Sequence, residues 1–264
     1  MDDQSHPSAR QLASPTYRLA SLDHDFILGH SMRGVRFLLE FAKADEALRA
    51  WGVRSTIVVF GSARIREDGP DPHPRWYAAA RAFGALASKE GGAYLSASHE
   101  RHNVICTGGG PGIMEAANRG AFDVGAPSIG LNITLPHEQF PNSYSTPELT
   151  FRFHYFAMRK MHLAMRAYAL VVFPGGFGTL DELFELLTLR QTDKSPPIPI
   201  VLFDEAYWRS IINFEALIEH GMIARSDLEY FRFAETAEQV WQCLLDAGLK
   251  PHGAPDWDPD PSDP

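Results

Sequence analysis

The chain has 264 residues, 45% of them hydrophobic, enough to bury one full α/β core. Its net charge of −9 argues against a general affinity for a nucleic acid polymer or an anionic membrane, while a local Arg/Lys pair can still hold a small anion. Two cysteines give no disulfide framework, no apolar run reaches the roughly 20 residues of a membrane span, and the N-terminus lacks a basic then apolar leader, so a cytoplasmic protein is expected.

Residues 1–16 are polar, Pro/Ser-bearing and expected to be mobile. A helical pattern follows over 19–51, so residues 1–54 read as an extension packed on a main domain over 55–250. Ser55-Thr-Ile-Val-Val-Phe60 reads as a buried strand that ends in the turn Gly61-Ser62-Ala63-Arg64. An Ala-rich amphipathic helix over 76–89 stops at Gly91-Gly92. Strand 104–106 leads into Thr107-Gly108-Gly109-Gly110-Pro111-Gly112, then a helix over 113–122 and a strand over 128–133. A short strand at 151–155 precedes a helix over 157–167, and the apolar run 169–173 is another strand. A helix over 180–190, a strand over 198–203 and helices near 207–220 and 237–247 complete the pattern. The tail, 251–264, is rich in Pro and Asp and is expected to be disordered. Strands alternating with helices predict a doubly wound parallel sheet with helices on both faces.

The segment Pro174-Gly175-Gly176-Phe177-Gly178-Thr179-Leu180-Asp181-Glu182 carries the most chemistry. A strand that feeds a Gly-rich turn and then a helix N-terminus offers free N–H groups and a favourable dipole to a phosphate. Two carboxylates, Asp181 and Glu182, stand within one helical turn of that seat, which a pure binder does not need. Against this, Thr179-x-x-Glu182 has the form of a capping box, in which Glu182 only closes the helix start. Two further Gly turns, at Gly61-Ser62 and Gly108–Gly112, follow predicted strands, and such turns share one edge of a doubly wound sheet. Glu115 and Asn118 open the next helix and read either as ligand contacts or as caps. The fingerprint GxGxxG is missing, and no acidic residue of the ribose-binding type follows, so bound NAD is disfavoured. Arg159 and Lys160 lie at the start of a helix, where two cations oppose the dipole unless an anion compensates. His99-Glu-Arg-His102 lacks metal-ligand spacing, and no metal is assigned.

PGGxGTxxE at 174–182, preceded by Met158-Arg159-Lys160, resembles the LONELY GUY (LOG) proteins, as do Gly61-Ser-Ala-Arg64 and Thr107–Asn118. The similarity covers roughly residues 55–220 and looks like a longer bacterial subgroup. The resemblance implies a Rossmann-like fold and a metal-free, cofactor-free cytokinin riboside 5′-monophosphate phosphoribohydrolase. Such an enzyme cleaves a nucleoside 5′-monophosphate, AMP or an N6-substituted AMP, to base and ribose 5-phosphate. It implies Arg159 and Glu182 as the catalytic pair. Gly175, Gly176, Gly178 and Thr179 would hold the phosphate, with Lys160 beside it. Gly61, Ser62, Gly108, Gly109, Gly110, Gly112, Met114, Glu115, Glu138, Asp181 and Thr188 would line the substrate site. A homodimer is also implied. Two other readings compete. A non-catalytic nucleotide or molybdenum-cofactor carrier would use the same loops without turnover. A pyridoxal-phosphate decarboxylase would need a Schiff-base lysine, and the one lysine near a Gly loop, Lys160, is better explained by phosphate.

Overall fold

The computed structural model describes residues 6–135, 140–195 and 197–253. Two compact units divide between Lys43 and Ala44. The smaller holds α1 (Ala9–Leu12), α2 (His24–Leu28) and the first part of α3 (Arg33–Ala50). The continuous helix expected over 19–51 is therefore broken. The Asp23 carboxylate caps α2, and Gly29 takes extended geometry at its end. The Arg36 guanidinium donates to the carbonyls of Ile27 and Gly29 at 2.8 and 2.7 Å, which fixes that bend.

The larger unit is built on β1 (Thr56–Phe60), α4 (His73–Gly91), β2 (Val104–Thr107), α5 (Ile113–Asp123), β3 (Ser128–Ile133) and β4 (Thr150–Phe153). It continues through α6 (Phe156–Met165), β5 (Ala167–Val172), α7 (Phe177–Gln191), β6 (Ile200–Phe203), α8 (Glu205–Ile211), α9 (Phe214–Glu219), β7 (Phe231–Ala234) and α10 (Ala237–Asp246). Among the described residues seven strands form one sheet in the order β4-β3-β2-β1-β5-β6-β7, and every pairing is parallel. With its helices this is the Rossmann-like α/β fold expected. The central strands β1 and β5 are buried along their whole length. Covered on both faces, they read as continuous apolar runs rather than as alternation. The direction of strand order reverses between β1 and β5, and this is the switch point at which open α/β sheets bind ligands.

Three differences from the sequence reading have local causes. α7 begins at Phe177, three residues before the expected Leu180, because Phe177 and Gly178 are already helical after the extended Gly176. The helix expected over 207–220 is two helices, since the Asn213 side chain accepts from the Ala216 amide and starts α9 afresh. Strand β7 was not expected. The tail beyond residue 253 lies outside the described residues, as do residues 1–5. No helix among the described residues is long and apolar enough to cross a membrane.

Helices α4 and α5 meet through two glycines. A Cβ on Gly84 would overlap the Ala117 carbonyl, and one on Gly120 would overlap the Arg81 carbonyl. Alanine at 120 gains up to about 1 kcal/mol of helix propensity. It must also push two packed helices apart, and overpacking of this kind costs about 1–3 kcal/mol or more. Gly120→Ala is expected to lose about 2 kcal/mol net, read as a fall in Tm of about 4–8 °C. A Tm at or above wild type would mean that the helices separate freely.

At the amino edge of the sheet, Arg166 at the end of α6 pairs with Asp45 of α3, which also accepts from Arg49 at 2.8 Å. Burial would raise the Asp45 pKa, but the two guanidiniums outweigh it and hold the carboxyl below its ordinary value.

Candidate active site

The three Gly turns meet at the carboxyl edge, at the switch point. The Ser62 amide donates to the Pro174 carbonyl at 3.0 Å, which ties the turn after β1 to the turn after β5. The Ser62 carbonyl accepts from the Ile113 amide at 3.2 Å, tying the same turn to the start of α5. Glycines are needed for these approaches. A Cβ on Gly61 would drive into Ile113, and one on Gly112, at φ +72°, would overlap the Ser62 carbonyl.

The turn after β2 is held from below. The Gly109 amide donates to the Thr107 hydroxyl at 2.9 Å. Asn132 donates to the Gly109 carbonyl at 3.0 Å, and Asn142 to the Gly110 carbonyl at 3.1 Å. Asn118, read as a ligand contact or a cap, is neither. It is fully buried, accepts from Thr107 at 2.7 Å and donates to Ser128 at 3.0 Å. Asn132 and Asn142 carried no motif in the sequence. Asn132 reaches the turn from β3, 23 residues on, and Asn142 from the segment between β3 and β4, 32 residues on.

The turn after β5 runs directly into α7. The first intrahelical bond is from the Leu180 amide to the Gly176 carbonyl, so the preceding amides of the turn have no helical acceptor. Gly176 and Gly178 have open space where a Cβ would stand, whereas one on Gly175 would overlap the Thr179 hydroxyl and lie 3.0 Å from the Ser62 amide nitrogen. The result is an uncluttered row of N–H donors at the positive end of a 15-residue helix, suited to a phosphate.

Arg159 and Glu182 come together beside this row. The Arg159 Nη2 donates to Glu182 Oε1 at 2.6 Å, and both side chains are nearly buried, 10% and 12% exposed. The Arg159 guanidinium lies 5.5 Å from the Phe156 ring centroid. Its Nη1 lies over Gly108, where a Cβ would come within 3.1 Å. Gly108 thus clears the floor of the site for the guanidinium. The Arg159 Nε is buried and unpaired among the described residues. Burial pushes the Glu182 carboxyl up to about 7, against the lowering pull of Arg159. A carboxyl of that kind exchanges protons near neutrality.

The capping-box alternative fails on geometry. Thr179 is the third residue of α7 rather than its cap, and Glu182 lies deeper in the helix, turned toward Arg159. Lys160 is also placed differently from expectation. About 100° round α6 from Arg159, its ammonium is engaged by Asp181 at 2.8 Å and Glu185 at 3.1 Å. Burial would lower its pKa, but these two carboxylates outweigh that and raise it. Lys160, Asp181, Glu185 and Thr188 line a separate hollow of about 550 Å³ with Phe177 and Phe184. Thr188 spends its hydroxyl on the Phe184 carbonyl at 2.7 Å. So Lys160, Asp181 and Thr188 line a different hollow, although the charges of Asp181 and Lys160 still act on Glu182. Met114 packs its sulfur over Gly108, and Glu115 accepts the Tyr77 hydroxyl at 2.8 Å. Glu138 lies outside the described residues. Among the described residues no group of three or more His, Cys, Asp or Glu side chains could hold a metal ion. Cys106 is buried in β2, with its thiol pushed up to about 12 by desolvation, and is not a nucleophile in this state.

A family model described as "Possible lysine decarboxylase" matches residues 114–244. A cytokinin riboside 5′-monophosphate phosphoribohydrolase of Arabidopsis thaliana is 27% identical over 142 residues, 52% of this chain and 64% of that protein. The chain therefore spans a little under two thirds of that relative's length. The X-ray structure of a structural-genomics target superposes with a TM-score of 0.50 at 20% identity, covering 73% of this chain and 99% of the target. A molybdenum cofactor binding protein from the phototrophic bacterium Rippkaea orientalis gives a TM-score of 0.49 at 19% identity, covering 73% of this chain and 96% of the other.

Proposed function

We propose that this chain, which belongs to the LOG family, hydrolyses the N-glycosidic bond of a nucleoside 5′-monophosphate. The observation that carries the reading is the buried Arg159–Glu182 pair standing beside the row of amides at the start of α7. In this reading the 5′-phosphate rests on the Gly175–Thr179 turn, and the ribose reaches toward the pair. Cleavage builds positive charge at C1′, and the Glu182 carboxylate stabilises it and takes a proton from the attacking water. The water oxygen bonds to C1′ as the C1′–N bond breaks, and the departing base nitrogen gains a proton. Base and ribose 5-phosphate leave. Arg159, always charged, pulls the Glu182 pKa down against burial and offers its remaining N–H groups to the sugar or phosphate. AMP or an N6-substituted AMP of the cytokinin type is the proposed substrate class. A homodimer and a cytoplasmic location belong to the same proposal.

The test is turnover on a panel of nucleoside monophosphates, with released base and ribose 5-phosphate both measured. AMP is expected to be cleaved at least about 100-fold more efficiently than adenosine. The phosphate supplies remote binding energy that is used at the sugar, and a nucleoside forfeits it. Equal cleavage of AMP and adenosine would remove the phosphate from its assigned seat.

A further inference from the structure

One contact to the phosphate turn comes from outside every motif. The Tyr207 hydroxyl, on α8, donates to the Gly175 carbonyl at 2.7 Å. The peptide unit is planar and trans, so a carbonyl fixed toward Tyr207 directs the Gly176 N–H to the opposite side. Two successive glycines otherwise leave that peptide plane free to rotate.

Tyr207 is itself held on several sides. Its ring meets Trp76 edge-on at 5.5 Å and Trp208 edge-on at 5.3 Å. Its amide donates to Asp204 Oδ1 at 3.0 Å, while Asp204 Oδ2 accepts from the Trp76 indole at 2.8 Å. Asp204 sits at φ +71°, a left-handed conformation costly for a non-glycine residue and kept here by those bonds. A chain of contacts thus runs from α4 through Asp204 and Tyr207 to the glycine peptide. We infer that Tyr207 is a positioning residue that sets the Gly175–Gly176 peptide so that its N–H faces the bound phosphate. The inference rests on the reading of that turn as the phosphate seat.

Tyr207→Phe keeps the ring and its packing and removes only the hydroxyl. AMP binding, measured by calorimetry, is expected to weaken about tenfold, the scale of one well-made hydrogen bond. KM for AMP should rise by a similar factor, with kcat little changed and the cleavage of adenosine unaltered. A residue that only supported the fold would lower AMP and adenosine turnover together, along with the melting temperature. AMP affinity equal to wild type in the Phe variant overturns the inference and leaves the proposed reaction standing. Weaker AMP binding in the variant, with no base released even by wild type, supports the inference and sinks the reaction. Failure of wild type to bind AMP overturns both.

Discussion

Replacing Glu182 with glutamine is expected to lower turnover of AMP by about 100-fold or more, the usual scale for losing one acid–base group. The substitution is nearly isosteric, and the new amide oxygen can still accept from Arg159 Nη2, where the carboxylate sits at 2.6 Å. The negative charge that the proposed reaction uses at the sugar cation and the attacking water is gone. AMP should still bind, because the amides at the start of α7 are untouched, and calorimetry checks this. Circular dichroism checks that the fold is retained. Since Thr179 is not a helix cap, no capping loss enters the result. Wild-type turnover in the Gln variant would reduce Glu182 to scaffolding and return the case to a protein that binds nucleotide without cleaving it.

Arg159→Met should act through two routes at once. It deletes a cation that the proposed reading sets beside the substrate, and a charge-assisted hydrogen bond is worth about 1.5–3 kcal/mol. It also removes the charge and the hydrogen bond that hold the Glu182 pKa down against burial. In wild type the carboxyl titrates near 7, so activity that needs the carboxylate rises as pH climbs through about 7 and levels off above it. Without Arg159 the upward push of desolvation, joined by Asp181 and opposed by the smaller pull of Lys160, dominates, and the acidic limb of the profile should move to higher pH. At pH 7 turnover is expected to fall about 100-fold or more, with partial recovery toward pH 9. An acidic limb left at its wild-type position would show that the arginine does not tune the carboxylate.

Much of this site was legible because its parts are local. The strand, glycine turn and helix at 169–190 announce themselves through one continuous stretch, and the run at 55–60 does the same. What escaped was set by distance. Nothing near residue 207 reports that its hydroxyl meets a carbonyl 32 residues earlier. The resemblance put Lys160 beside the phosphate, and no local signal in the sequence announced its ion pairs with Asp181 and Glu185. The start of α7 was misread because Gly-Phe-Gly has the composition of a loop, yet Phe177 and Gly178 already take helical geometry there with Phe177 exposed. β7 is four residues long with an exposed arginine in its middle, too short a signal to stand out from its surroundings.

The pairing of β1 with β5 also bears on how the molecule is made. The Thr56 hydroxyl donates to the Arg166 carbonyl at 3.1 Å, across 110 residues of chain. Closing so long a loop adds little to the equilibrium cost, since the entropy grows only logarithmically, but contacts of this span slow folding. The Ser62 and Gly108–Gly112 turns lie on the early side of that loop, and Arg159, the amide row and Glu182 on the late side. A nascent chain that has emerged only through β4 therefore holds both partners of the contacts around the Gly108–Gly112 turn, and lacks Arg159, the amide row and Glu182. On the proposed reading, a nucleotide phosphate has no seat to act as a template until the second half arrives and the centre of the sheet closes.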